Sequence, residues 1–147
     1  MITNRAKDLA VKLIKELEGF IPTPQWDVNG WAIGYGTHLE NPPKQITEQE
    51  AESLLRQCVD RIAEQIVQAI KVPLADHQWA ALISWAYNVG IAAALKSKLI
   101  AALNRGDAAE AARQFERWVY VKGKRLPGLE ARRRRERAVF EGKEAIC

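Results

Sequence analysis

The chain has 147 residues, 48% hydrophobic and 27% charged, the balance of a folded globular domain. That balance excludes a mainly disordered chain. With only Cys58 and the terminal Cys147, a disulfide scaffold is excluded too, and both cysteines read as reduced thiols. The net charge of +4 is uneven: residues 122–147 carry 9 Lys and Arg against 4 Asp and Glu, while the first 121 residues carry 13 against 14. A basic end points to an anionic partner, whether nucleic acid, membrane surface or cell-wall polymer. No apolar run approaches the length of a membrane span. Arg5, Lys7, Lys12 and Lys15 interrupt the apolar positions at the N-terminus, so no signal peptide is expected and folding in a cytoplasm is.

In chain order, Ala6, Leu9, Ala10, Leu13, Ile14 and Leu17 recur at helical spacing, which predicts an amphipathic helix from Asn4 to Glu18. Thr3 or Asn4 can cap its start and Gly19 can end it. Residues 20–45 hold four prolines and three glycines among aromatic and β-favouring residues, a pattern for short strands and tight turns. Asn29-Gly30 is a hairpin turn signal. Thr47 with Glu50 has capping-box spacing, and Leu54, Leu55, Cys58, Val59, Ile62, Ile66 and Ile70 form one stripe behind it. A long helix over 47–72, stopped by Pro73, is the expectation. A nearly all-apolar helix should follow from about Leu74 to Val89. Two shorter helices are expected at Leu95–Leu103 and Asp107–Trp118, then a loop from Lys122 to Pro127 and a basic helix from Leu129 to Phe140. The fold class is therefore α+β and mostly helical. A small N-terminal β-hairpin lobe (about 15–46) and a helical lobe (about 73–147 plus the N-terminal helix) are joined by the long helix.

The chemistry-bearing residues surround the hairpin. Glu18 ends the first helix beside its apolar stripe, where burial would raise a carboxyl's pKa as a general acid at neutral pH requires. Asp27 lies nine residues on, in a polar turn that keeps a carboxylate solvated and ionised. Two carboxyls in opposed environments can divide the acid and base work of glycoside hydrolysis. On spacing alone the plainer reading is favoured, a helix-end Glu and a turn Asp on an ordinary surface.

The longer string decides between these readings. Glu18-Gly19-Phe20 followed by Asp27-Val28-Asn29-Gly30-Trp31-Ala32-Ile33-Gly34-Tyr35-Gly36 resembles the active-site segment of phage-type lysozymes, glycoside hydrolase family 24. Gln78 to Gly90 resembles that family's central helix, Ser97 to Asp107 its next segment, and Phe115-Glu116-Arg117-Trp118 with Gly128-Leu129, Arg133-Arg134 and Glu136 its C-terminal block. The resemblance implies a lysozyme-like fold and an endolysin that hydrolyses the β-1,4 bond between N-acetylmuramic acid and N-acetylglucosamine of peptidoglycan. It implies Glu18 as the proton donor to the glycosidic oxygen and Asp27 as the carboxylate directing water to the far face of the sugar. Inversion, the outcome the family implies, needs the carboxyls about 6.5–9.5 Å apart. Leu39, Tyr87 and Ser97 are implied as lining of the sugar cleft. The family's route to the wall is a holin pore from the host cytoplasm.

One position departs from the family. Its third catalytic residue is a Thr before the Ile-Gly pair, and here Ala32 stands there, in a segment one residue shorter. Thr37, an extra residue between Gly36 and His38, either supplies the missing hydroxyl or is a turn residue. The family's His after the Gly-Tyr-Gly pairs with an acid on a helix, which makes Asp76 the expected partner of His38. Trp26 and Trp31 flank Asp27 and are positioned to stack on sugars, while Trp79, Trp85 and Trp118 read as core. Arg132 to Arg135 read as a solvated helix face, with two of them matching the family's fold-stabilising pair. Their excess would draw the chain to anionic envelope lipid. No cofactor or metal is expected, since His77 is the only other histidine and no ligand cluster is spaced for one. A monomer is expected. The alternatives are a lytic transglycosylase acting on the same bond with Glu18 alone, and a non-catalytic binder of anionic polymer. A nucleic-acid partner is not expected, because the basic residues lack an aromatic strand platform.

Overall fold

The computed structural model describes all 147 residues. Helix α1 (Asn4–Glu18) starts where the Thr3 hydroxyl accepts from the Ala6 N–H at 3.0 Å, and ends at Gly19, whose φ of 72° is open to glycine at no steric cost. Strands β1 (Ile21–Asp27), β2 (Gly30–Gly34) and β3 (Thr37–His38) form an antiparallel sheet in that order. Trp26 faces Trp31, Asp27 faces Gly30, Ala32 faces His38 and Ile33 faces Thr37. Thr37 is thus a strand residue and not part of a turn.

Helix α2 (Glu48–Ala69) opens on the expected capping box, with Thr47 and Glu50 each accepting the other's backbone N–H. It stops three residues short of the expected end. Ile70 turns extended, and the Asn104 amide accepts from the Lys71 N–H at 2.7 Å and donates to the Ala69 carbonyl at 2.8 Å. These bonds satisfy helix-end groups that another turn would otherwise satisfy.

Helix α3 (Asp76–Val89) is buried continuously from Trp79 to Ala86 and packs between α1 and α7. A helix enclosed on all sides must be apolar on all sides, which explains why it shows no stripe. The expected helix Leu95–Leu103 is instead two: α4 (Ile91–Leu95) and α5 (Lys98–Asn104). The break falls at Ser97, whose hydroxyl accepts from the Ile100 N–H at 3.1 Å and so starts a new helix. Helix α6 (Ala108–Phe115) is capped by Asp107. The expected loop at Lys122–Pro127 is instead the turn and second strand of a small hairpin, β4 (Tyr120–Val121) paired with β5 (Lys124–Arg125). Lys122 (φ 50°) and Gly123 (φ 79°) take the left-handed conformations such a turn needs. Helix α7 (Pro127–Phe140) begins two residues early because proline suits a first helical turn.

A contiguous core of 33 buried residues runs through these helices, including Trp79 and Trp85, with Trp118 packed against it. The architecture is the mostly helical α+β fold with a small antiparallel sheet that the sequence predicts.

Candidate active site

A cavity of about 600 Å³ opens between the sheet, α2 and the C-terminal end of α3. Glu18, Asp27, Ala32, Thr37, His38 and Tyr87 all line it, so the structure brings together the two carboxyls that lie nine residues apart in sequence. Glu18 reaches it from the last position of α1. The close approach of β3 to that carboxyl requires Gly36, because a Cβ there (φ +81°) would lie 2.6 Å from Glu18 Oε1. Gly34 has the same role one step deeper, where a Cβ would lie 2.8 Å from that of Ala51 on α2. The two glycines of Gly34-Tyr35-Gly36 therefore let the sheet close over α1 and α2.

The surroundings of Glu18 differ from the apolar ones expected. Arg132 Nη1 donates to Glu18 Oε2 at 2.6 Å, across 114 residues of sequence. Arg132 itself is held by Glu136 Oε2 at 3.1 Å and the Ser84 carbonyl at 3.2 Å. Beneath it Arg133 donates to Glu136 Oε1 at 2.6 Å, to the Trp118 carbonyl at 2.8 Å and to Asn88 Oδ1. Ser84 Oγ completes the network on Glu136 at 2.6 Å. Arg132, Arg133 and Glu136 are buried, which corrects the expectation of a solvated arginine face. It also moves the structural pair from Arg133-Arg134 to Arg132-Arg133. Arg135 pairs with Glu16 and Glu144, and Arg137 with Glu116 and Glu141, so Arg134 is the member of α7's arginines without an ion pair.

Asp27 is half-exposed at the end of β1. Its Oδ1 accepts from the Asn29 N–H at 2.7 Å, and His38 Nε2 lies 2.9 Å from Oδ2 and 3.1 Å from Oδ1. Partial desolvation pushes the carboxyl's pKa up, but the bonds from Asn29, His38 and Gly30 outweigh it and hold the pKa below the usual aspartate range. The expected partner Asp76 is elsewhere, accepting from the Thr3 hydroxyl at 2.7 Å. The reason is strand register: pairing of Ala32 with His38 puts the imidazole on the Asp27 face of the sheet.

Thr37 points the other way. It shares a face with Ile33, is 4% exposed, and its hydroxyl makes no hydrogen bond. Tyr87 donates to the Tyr35 carbonyl at 2.6 Å. Burial pushes its phenol well above the usual range, against an opposing influence of the Thr37 hydroxyl, so it is neutral. Cys58 is half-buried in the cavity wall, where burial pushes its thiol up and keeps it protonated. Of the other implied lining residues, Ser97 is a buried helix cap beside Trp118, and Leu39 lies in an adjoining cavity; neither reaches this one. Trp26 and Trp31 pair across the strands, which places their rings on the sheet face opposite Asp27. Arg132 and His38's bond to Asp27 escape sequence reasoning. A run of four arginines does not say which one faces inward, and the His38 contact depends on register.

The arrangement places one carboxyl bonded to an arginine and a second held ionised by donors on one open cavity. Residues 15–136 match the model of the phage lysozyme family. The chain is 39% identical over 135 residues to the endolysin of Acyrthosiphon pisum secondary endosymbiont phage 1, covering 88% of this chain and 92% of that one. It is 37% identical over 139 residues to the endolysin of Bacillus phage PZA, of which it spans about half the length. Among solved structures, it superposes on the muramidase domain of SpmX from Asticaccaulis excentricus with a TM-score of 0.83 at 30% identity, covering 95% and 97% of the two chains. The endolysin from Escherichia coli O157:H7 phage FAHEc1 gives 0.81 at 31% identity, covering 99% and 96%. The chain belongs to the phage lysozyme family, and is a lysozyme-type hydrolase.

Proposed function

We propose that the protein is an N-acetylmuramidase that hydrolyses the β-1,4 bond between N-acetylmuramic acid and N-acetylglucosamine of peptidoglycan. The observation that carries this reading is the convergence of Glu18 and Asp27 on one open cavity, each fixed by a charged or ionisable neighbour. Glu18 gives its proton to the glycosidic oxygen as the C–O bond breaks. Arg132 engages Oε2, so the proton to be given resides on Oε1, which has room because Gly36 carries no side chain. Asp27, held as a carboxylate, accepts a proton from the water that attacks the anomeric carbon, and the sugar leaves with a new hydroxyl.

The family's hydroxyl is missing at Ala32, and the imidazole of His38 stands across from that alanine and bonds Asp27. In this reading His38 orients the carboxylate that directs the water. Thr37 is the poorer candidate for holding that water, because its hydroxyl is buried and lies on the opposite face of the strand. Tyr87 shapes the wall by fixing the Tyr35 carbonyl.

The protein would act as a monomer after passing from the host cytoplasm to the wall by a holin-type route. Contact with anionic envelope lipid would fall to Arg134, Lys122 and Lys124, since the neighbouring arginines are ion-paired. A turbidity assay on purified walls tests the catalytic assignment. Glu18→Gln and Asp27→Asn should each lose roughly 10²–10⁴-fold in rate while remaining folded by circular dichroism at the assay temperature. Parent-like rates in Glu18→Gln would remove it from the mechanism, and a fully active Asp27→Asn would favour transglycosylation.

A further inference from the structure

On the far side of the catalytic hairpin lies a second cavity of about 430 Å³, walled by Trp26, Trp31, Leu39 and Glu40 with Asn29 and His38 at its rim. Trp26 is 68% exposed and Trp31 40%, whereas the other three tryptophans lie in or against the core. Their rings meet edge-to-face, with centroids 5.1 Å apart and planes at 80°. Such a pair stiffens both indoles and occupies only one face of one ring. A pair of large apolar rings left in water at a hairpin end is not explained by folding, since neither ring joins the core.

The chemistry of the wall says what fits there. No Lys or Arg lines the cavity and Glu40 stands in its wall, so nothing there pairs with the phosphate that a lipid headgroup or nucleic acid would bring. The polar groups are an amide, an imidazole and a carboxylate, which suit hydroxyls and acetamido groups, while the indole faces suit the C–H face of a pyranose ring. Trp26, Asn29 and His38 line both this cavity and the one holding Glu18 and Asp27, so the two adjoin at the end of the hairpin. We propose that the outer face of the hairpin is a second carbohydrate site, where Trp26 and Trp31 hold a β-1,4-linked amino-sugar strand of the wall outside the cleft. The inference rests on the reading of the protein as a peptidoglycan hydrolase. It gives the enzyme a hold on an insoluble substrate in addition to that of the cleft.

The test is sedimentation with purified insoluble peptidoglycan, using Glu18→Gln protein so that binding is measured without cleavage. Adding Trp31→Ala should weaken wall binding about fivefold or more, with the thermal midpoint unchanged, and Trp31→Phe should restore most of it. If Trp31→Ala melts early, Trp31→Leu keeps an apolar side chain without a stacking plane and should show the same loss. Wall binding equal to that of Glu18→Gln alone would overturn the proposal. So would a loss confined to anionic phospholipid vesicles, which would make the pair a lipid contact. Failure of the underlying reading looks different: the wild-type protein would then release no fragments from the same walls, whatever Trp31→Ala does to binding.

Discussion

Replacing Glu136 by glutamine is the sharpest perturbation of the buried network under the active site. Both oxygens of Glu136 accept: Oε1 from Arg133 at 2.6 Å, and Oε2 from Ser84 Oγ at 2.6 Å and Arg132 Nε at 3.1 Å. In Glu136→Gln one of these acceptors becomes an NH2 facing donors. Arg133, 1% exposed, is left with neutral partners alone: the remaining amide oxygen at position 136, the Trp118 carbonyl and Asn88. Arg132 still has Glu18, so the uncompensated charge is that of Arg133. Removing one partner of a buried ion pair costs about 3–5 kcal/mol, a large share of the roughly 5–15 kcal/mol that stabilises a domain. At this chain length each kcal/mol lowers Tm by roughly 4 °C, so Tm should fall by about 12–20 °C. Thermal unfolding followed by circular dichroism reads this directly. A fall under about 3 °C would refute the idea that Glu136 neutralises the buried arginines.

Two further outcomes follow from the geometry. Gly36→Ala should abolish activity, because its Cβ would lie 2.6 Å from Glu18 Oε1 on a backbone at φ +81°; a wall-lysis assay with parent-like rates would show that Glu18 does not need this space. His38→Ala should move the acid limb of the pH–rate profile upward. His38 is one of the donors that hold the Asp27 pKa below its usual range, so without it Asp27 protonates at a higher pH and the water-directing carboxylate is lost sooner on acidification. The same sign governs stability: the depressed Asp27 contributes above the unfolded aspartate pKa, and that contribution is lost as pH falls through the folded one. An acid limb that stays in place in His38→Ala would separate His38 from Asp27's function.

Much of the fold was legible because local chemistry and burial agreed. The Thr47–Glu50 capping box marks the start of α2, and the stripe behind it faces the core. Glu18, Asp27 and the two glycines of Gly34-Tyr35-Gly36 were legible as a string because all four serve one short segment folded over a helix end. Arg132 was not, since its partner Glu18 is 114 residues away and only the docking of α7 against α3 selects it from four consecutive arginines. The partner of His38 was misread for a related reason. A one-residue change in register reverses the face of every side chain in a strand, and the shortened segment after Asp27 sets that register here. The split at Ser97 turns on one side-chain bond and the hairpin at Lys122-Gly123 on two left-handed residues, features too local for periodicity to reveal.

The central claim is that Glu18 and Asp27 together add water across a glycosidic bond. The most direct measurement is mass spectrometry of fragments released from purified peptidoglycan in water enriched with oxygen-18. Hydrolysis by this pair should give reducing N-acetylmuramic acid ends carrying one heavy oxygen from the wild-type protein and no release from Glu18→Gln. Unlabelled 1,6-anhydro ends, or labelled fragments from Glu18→Gln at the wild-type rate, would contradict it.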